Sequence, residues 1–313
     1  MIQESRSLPC LSPGKLLGPC HVQAISERQH VAPKADPTQH VLLFTEPPLN
    51  PKAEREKMVE LLFETFKVPA IYIAPKAVLS LYSRDRLNGI VLHSGDVVSY
   101  VVPCLLGTQL YDAITRIDVA GGDITDSLMA SLTRRGYDVS DWERVREIKE
   151  KSGYVAVDYE VEMDMCSSAS TQYTLPDGQS FAIGTEWFRN PKVLFIGREG
   201  SGIHEMTYNT IRKCCSKLLE IKACGEQFNN IILTGRSTLL PGFAERLDKE
   251  IAVFDKLENK CARTKQVQLH LIQSRVCYSY NLKIRHGGQG SCASLWWPGK
   301  VKFNTIQHNV IFT

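Results

Sequence analysis

Residues 89–102, GIVLHSGDVVSYVV, set two β-branched apolar runs on either side of Ser94-Gly95-Asp96. That pattern predicts a β-hairpin with a tight polar tip. Backbone N–H groups converging at such a tip can hold a phosphate, with Gly95 allowing close approach. His93 and Val97 stand beside the tip, where a magnesium-phosphate site favours a carboxylate and a second glycine. Most tips of this kind only connect strands, so the motif alone assigns no ligand.

The 313 residues suffice for one large or two medium domains with a sizeable core. A net charge of +3 is too small to argue for a nucleic-acid or acidic-membrane partner. The ten cysteines include no CxxC pair, which speaks against zinc. Adjacent Cys214 and Cys215 read as small buried thiols on a helix. With no apolar signal core and no membrane-length apolar window, reduced thiols in the cytoplasm or nucleus fit best.

Residues 1–40 carry scattered Pro, Ser, Gln and His with no lasting period, and are read as a flexible tail. Order is expected from Val41, in a short strand. Asn50 is expected to cap a helix with Pro51 at its first position, and Met58, Leu61, Leu62 and Phe66 mark its apolar face. The glycine turn 118–123 feeds a helix with Ile124, Leu128 and Leu132 buried. Another helix is expected over 141–155, with Trp142, Val145, Ile148 and Ser152 on one face. Lys149 and Glu150 lie beside that face; by spacing alone they belong to a solvated edge. Residues 171–183 read as a hairpin turning at Asp177-Gly178. From Ile231 to Gly242 the order is strand, loop, helix, and such a Gly/Ser/Thr loop can bind an anion. Alternating strands and helices make the class α/β with mixed sheets.

Taken together and in order, several segments resemble the actin family of actin and actin-related proteins. They are TEPPLNPKAEREKMVELLFETFKVPAIYIAPKAVLSLY (45–82), SGD (94–96), DVAGGDITDSLM (118–129) and RGYDVSDWERVREIKEKSGYVAVDYE (135–160). YTLPDGQ (173–179), GIHEMTYNTIRKC (202–214) and LTGRSTLLPGFAERLDKEI (233–251) complete the set. The resemblance covers about residues 41–251 and implies a two-lobed, ribonuclease H-like fold of the actin/Hsp70/sugar-kinase type, incomplete at the N-terminus. It implies a first-lobe remnant at 41–83, a second-lobe core at 84–119 and 204–286, an inserted small subdomain at 120–203 and a shortened C-terminal return at 287–313. ATP with Mg²⁺ or Ca²⁺ would lie between the lobes. Gly95 and Asp96 would line the second phosphate loop, and Gly121 the loop near phosphate and ribose. Lys149 and Glu150 would flank adenine and ribose, and Gly235 and Leu239 the adenine-side loop.

Departures from the pattern set the functional expectation. Residues 1–40 hold nothing like the family's glycine-rich first phosphate loop, and the small upper subdomain that follows it has no counterpart. His93 replaces the family's carboxylate, which orders metal-bound water, and Val97 replaces a glycine at the close-approach point. Lys76 and Tyr100 correspond to the family's water-positioning glutamine and histidine; an ammonium cannot accept a hydrogen bond as an amide does. Arg236 replaces the second glycine of the adenine-side loop. The loop at 195–202 is shorter than the family's filament-contacting loop, and HGGQGSCASL (286–295) is similar to the glycine-led helix near the family's end. Trp296 and Trp297 read as core packing or a partner surface.

Lys76, His93 and Arg236 either counter phosphate charge in place of a metal, or Arg236 or Lys76 pairs with Asp96 and fills the cleft. The leading expectation is a divergent actin-related protein acting as a non-catalytic binding or scaffold subunit, without family-type ATP hydrolysis and without self-polymerisation. Its expected partners are cytoskeletal or actin-associated proteins, in the cytoplasm or the nucleus, with no nucleic acid and no membrane. The alternatives are an ATP-hydrolysing, polymerising actin-like protein and a truncated product that folds poorly, its sheet left with unpaired edges.

Overall fold

The computed structural model describes residues 36–39, 42–137, 139–165, 171–174, 180–197, 201–217, 230–258, 268–271, 283–285, 294–296 and 310–312. These divide into two units, the residues up to Lys76 with those from Tyr278 onward, and Ala77–Cys277. Apart from 36–39, the expected flexible tail lies outside the described residues. So does the turn at Asp177-Gly178.

In the first unit, β1 (Leu42–Glu46) runs parallel to β2 (Ala70–Pro75), and a late strand (Val310–Phe312) pairs antiparallel with β2. Helix α1 (Lys52–Glu64) covers the pair, with Leu62 buried against Val68, Ile71 and Ile73 and with Met58, Phe63 and Phe66 packed alongside. Pro51, not Asn50, occupies the cap position, and no side chain caps the helix. Asn50 turns back instead and donates to Glu46 Oε2 at 3.4 Å. Glu46 is the stronger attraction because Arg55 grips both its oxygens, at 2.9 and 2.6 Å, in a charge-assisted fork. A hairpin of Lys283–Arg285 and Ser294–Trp296 also belongs to this unit, so 294–296 form a strand where the resemblance implied a helix.

The second unit is built on the hairpin of residues 89–102. Strand β3 (Gly89–Ser94) pairs antiparallel with β4 (Ser99–Leu105), His93 opposite Tyr100 and Ser94 opposite Ser99. Short β5 (Thr108–Gln109) and β6 (Thr115–Ile117) both pair with β4. On the other side of β3, Asn230–Thr234 joins in parallel and is followed outward by Gln268–Leu271. The two central strands are apolar at nearly every position because both sheet faces are covered. Ile90, Leu92, Ile231 and Leu233 face one core with Met206, Ile211, Phe243 and Leu247 from the helices Ile203–Lys217 and Phe243–Glu258. Val91 and Ile232 face the opposite core with Ala77, Val78 and Leu81 of α2 (Lys76–Tyr82). Adjacent residues alternate between the two cores, as the period of a strand requires.

Helices α3 (Gly121–Arg134) and α4 (Trp142–Ser152) form a satellite core, with Leu128, Leu132, Val145 and Ile148 buried around Ile183 and Trp187. Asp141 caps α4 by accepting from the Glu143 N–H at 3.0 Å. The helix stops three residues before the expected end at 155, because Gly153 goes extended and Val155 N–H donates to Pro241 O at 2.8 Å. Cys214 is buried as expected, and the side chain of Cys215 lies outside the described residues.

Candidate functional site

Three loops of the second unit meet at one carbonyl. Gly95 O, at the hairpin tip, accepts from Gly121 N–H at 2.9 Å and from Ser237 Oγ at 2.7 Å. Asp96 O accepts from Gly122 N–H at 2.7 Å. The tip is thereby sewn to the start of α3 and to the loop after the strand Asn230–Thr234. Backbone approach this close needs glycine: a Cβ on Gly121 would stand 2.9 Å from Gly95 O and 2.6 Å from Ser237 Oγ. Gly235 has φ +94°, and a Cβ there would lie 2.1 Å from Ser94 O. Both reasons make a side chain at Gly235 prohibitive.

Under the tip, His93 is buried at 7% exposure and its ring stacks on Tyr100 with centroids 4.6 Å apart. Its Nδ1 lies 2.9 Å from Thr234 Oγ1. Ser94 and Ser99 share a hydroxyl hydrogen bond at 2.9 Å, and Ser99 Oγ donates to Val119 O at 2.6 Å. The odd residues of the tip are thus part of its packing. Tyr100 serves as the lid on His93, while Val97 projects outward and is 56% exposed.

Lys149 is the residue whose position departs furthest from a solvated helix edge. It is 7% exposed, and its Nζ donates to Gly121 O at 2.8 Å and Thr125 Oγ1 at 2.9 Å. Desolvation lowers the pKa of its ammonium, against the opposing pull of Asp96 and Glu150. Glu150 stays at the surface beside it. Arg236 Nη1 stands 3.1 Å from each Glu150 oxygen, and Arg146 Nε donates to Glu150 Oε1 at 3.3 Å. Partial burial raises the Glu150 carboxyl, but the hydrogen bonds and charges of Arg236 and Arg146 outweigh it and hold the pKa below its usual value. Arg236 therefore pairs with Glu150, not with Asp96 as the sequence suggested; Asp96 is exposed at the tip.

Six of the seven expected site residues are joined by these contacts: Gly95, Asp96, Gly121, Lys149, Glu150 and Gly235. Leu239 closes the short 3-10 helix Arg236–Leu239 and is 36% exposed. Ser237 and Thr125 were missed. Ser237 sits inside the quoted GRST run, and Thr125 lies one helical turn beyond Gly121, so both had a local signal.

A scan of the sequence against family models matches the actin family over residues 22–276. The chain belongs to the actin family. The match starts earlier than the resemblance read from motifs and runs past its end, and it enters the segment 1–40, in which the motifs find no family counterpart. The mixed α/β units described above are those of the actin-like ATPase fold.

Members of the family bind a nucleotide with a divalent cation, and the residues here fit that group poorly. The first N–H groups of α3 are already taken: Ala120 by Asp123 Oδ2 at 2.8 Å, Gly121 by Gly95 O and Gly122 by Asp96 O. A helix start with its donors consumed offers little to an anion. Lys149 points into the protein, Glu150 is neutralised by two arginines, and His93 has no hard oxygen for a cation. Among the described residues, no group of three or more His, Cys, Asp or Glu could hold a metal ion.

Proposed function

We propose that this actin-family chain is a non-catalytic binding or scaffold subunit whose nucleotide cleft has been turned into internal structure. The observation carrying this reading is Lys149, committed by two buried hydrogen bonds to the start of α3. Magnitudes decide which contact matters. The Arg236–Glu150 pair is well exposed, and such pairs are worth about 0–1 kcal/mol, so an incoming ligand could displace it. Hydrogen bonds from a buried charged group are each worth about 1.5–3 kcal/mol, so freeing Lys149 costs more than the surface pair does. The same geometry weighs against metal-free phosphate binding, since Arg236 already has its counter-charge.

On this reading the partners are cytoskeletal or actin-associated proteins, and the location is the cytoplasm or the nucleus. Among the described residues no helix is long and apolar enough to cross a membrane. The first unit would serve as the first-lobe remnant and Ala77–Cys277 as the second lobe with its small subdomain. An ATP-hydrolysing, polymerising protein remains the second reading, on the strength of the exposed Asp96 and the close-packed Gly95 and Gly121.

Thermal unfolding with and without Mg-ATP separates the two. A ligand at a hundred times its dissociation constant adds about 2.7 kcal/mol. For a unit of this size that is about 5–11 °C in Tm. The scaffold reading expects no shift, and a saturable upward shift overturns it.

A further inference from the structure

Away from the three-loop junction, the C-terminal end of α3 and the short helix Glu186–Arg189 line a half-open polar cavity of about 300 Å³. Its floor is buried and fully engaged. Asn190, 5% exposed, donates from Nδ2 to Glu186 O and accepts at Oδ1 from Ser127 Oγ at 2.7 Å and Ser131 Oγ at 3.3 Å. Glu186, 9% exposed, takes the Gly184 N–H on one oxygen and Arg135 on the other, at 2.6 Å.

The walls are different. Arg134 bonds only neutral acceptors, Ala130 O at 3.2 Å and Ser131 Oγ at 3.3 Å. Arg189 is exposed and makes no ion pair or side-chain hydrogen bond among the described residues. With Arg135 cancelled by Glu186, the cavity holds two guanidinium groups that lack a counter-charge. Cations held together over a rigid, satisfied floor lower their mutual repulsion by taking an anion, and guanidinium forks match tetrahedral oxyanions.

We infer that this cavity is a binding site for a phosphate-monoester dianion, gripped by Arg134 and Arg189 and steadied by Arg135. The volume exceeds what a bare phosphate needs and leaves room for the rest of the ester, a small polyol or the serine of a phosphorylated segment. The serine hydroxyls, whose protons are spent on Asn190 and Ser127 O, offer lone pairs to an OH on that group.

The test is calorimetric titration of the full chain with glycerol 2-phosphate, and separately with a short phosphoserine peptide and its unphosphorylated twin. Saturable 1:1 binding of the monoester or the phosphopeptide is expected, the tighter of the two naming the source. Arg134→Ala and Arg189→Ala should each weaken it roughly tenfold to a hundredfold, the loss of one charge-assisted contact. Both arginines are exposed, so the variants should melt like the parent. Lys52→Ala, an exposed cation of the first unit, should bind like the parent. The inference is overturned if neither phosphate ligand binds, if the unphosphorylated peptide binds equally, or if the Arg134→Ala, Arg189→Ala double variant retains the parent's affinity.

Discussion

Lys149→Met is the substitution that most directly tests how the three-loop junction of the second unit is held. Methionine keeps the length of the side chain while removing the ammonium and its two hydrogen bonds, to Gly121 O and Thr125 Oγ1. Hydrogen bonds of a charged group contribute about 1.5–3 kcal/mol each, and methionine spares the folded state the cost of burying a charge. Thr125 Oγ1 still reaches Gly121 O at 3.1 Å, which leaves that carbonyl satisfied. The expected net loss is therefore about 1.5–3 kcal/mol, or roughly 3–12 °C in Tm for a unit of this size.

The pH dependence supplies a second, independent readout of the same substitution. Burial lowers the Lys149 pKa from 10.5, so between its folded value and 10.5 the unfolded chain binds more protons than the folded one. Stability contributed by this group therefore rises with pH across that window. The neutral amine still donates both hydrogen bonds, so the gap between parent and Lys149→Met should widen as pH rises from the folded pKa toward 10.5. Groups common to both proteins cancel in the difference. The assay is urea unfolding followed by tryptophan fluorescence at pH 7, 8, 9 and 10. A variant within about 0.5 kcal/mol of the parent, or a gap that stays flat or narrows with pH, refutes the reasoning.

Two further outcomes follow from single contacts. Gly235→Ala puts a Cβ 2.1 Å from Ser94 O, backbone that cannot swing aside, at a φ of +94°. The expected cost exceeds about 3 kcal/mol in a denaturant melt, and a loss below about 1 kcal/mol would contradict the geometry. Burial, with the Cys214 charge as a smaller contribution, pushes the Cys104 thiol up to about 12 from 9.0. In the folded protein at pH 8 it should resist iodoacetamide and react only on denaturation, as peptide mapping by mass spectrometry would reveal; between pH 9 and 12 its contribution to stability falls as pH rises, because only the unfolded thiol ionises.

Much of this was legible in the chain. The β-branched runs around Ser94-Gly95-Asp96 dictate a hairpin because both faces of β3 are buried, and a buried strand has little choice of side chain. The stripe Ile124, Leu128, Leu132 likewise defines α3. Local rules misjudged Asn50, because a capping preference of about 1 kcal/mol yields to the carboxylate of Glu46, already fixed by Arg55 nine residues along the chain.

The site divides along the same line. Bare backbone positions are readable in one dimension: glycine is needed at 121 and 235, where the loops approach this closely, and both glycines stand in the sequence. The sequence by itself also determined the chemistry on offer, with an imidazole at His93 and an arginine at Arg236 where the family pattern has a carboxylate and a glycine. What those groups do depends on contacts between distant segments. Spacing placed Lys149 on a helix edge, and a helix edge is solvated or buried according to what packs on it. Here the start of α3, twenty-eight residues away, lies against it and accepts its hydrogen bond. The partner of Arg236, eighty-six residues distant, was equally beyond local reading. Charges at long separation choose partners by distance in space, which no periodicity encodes.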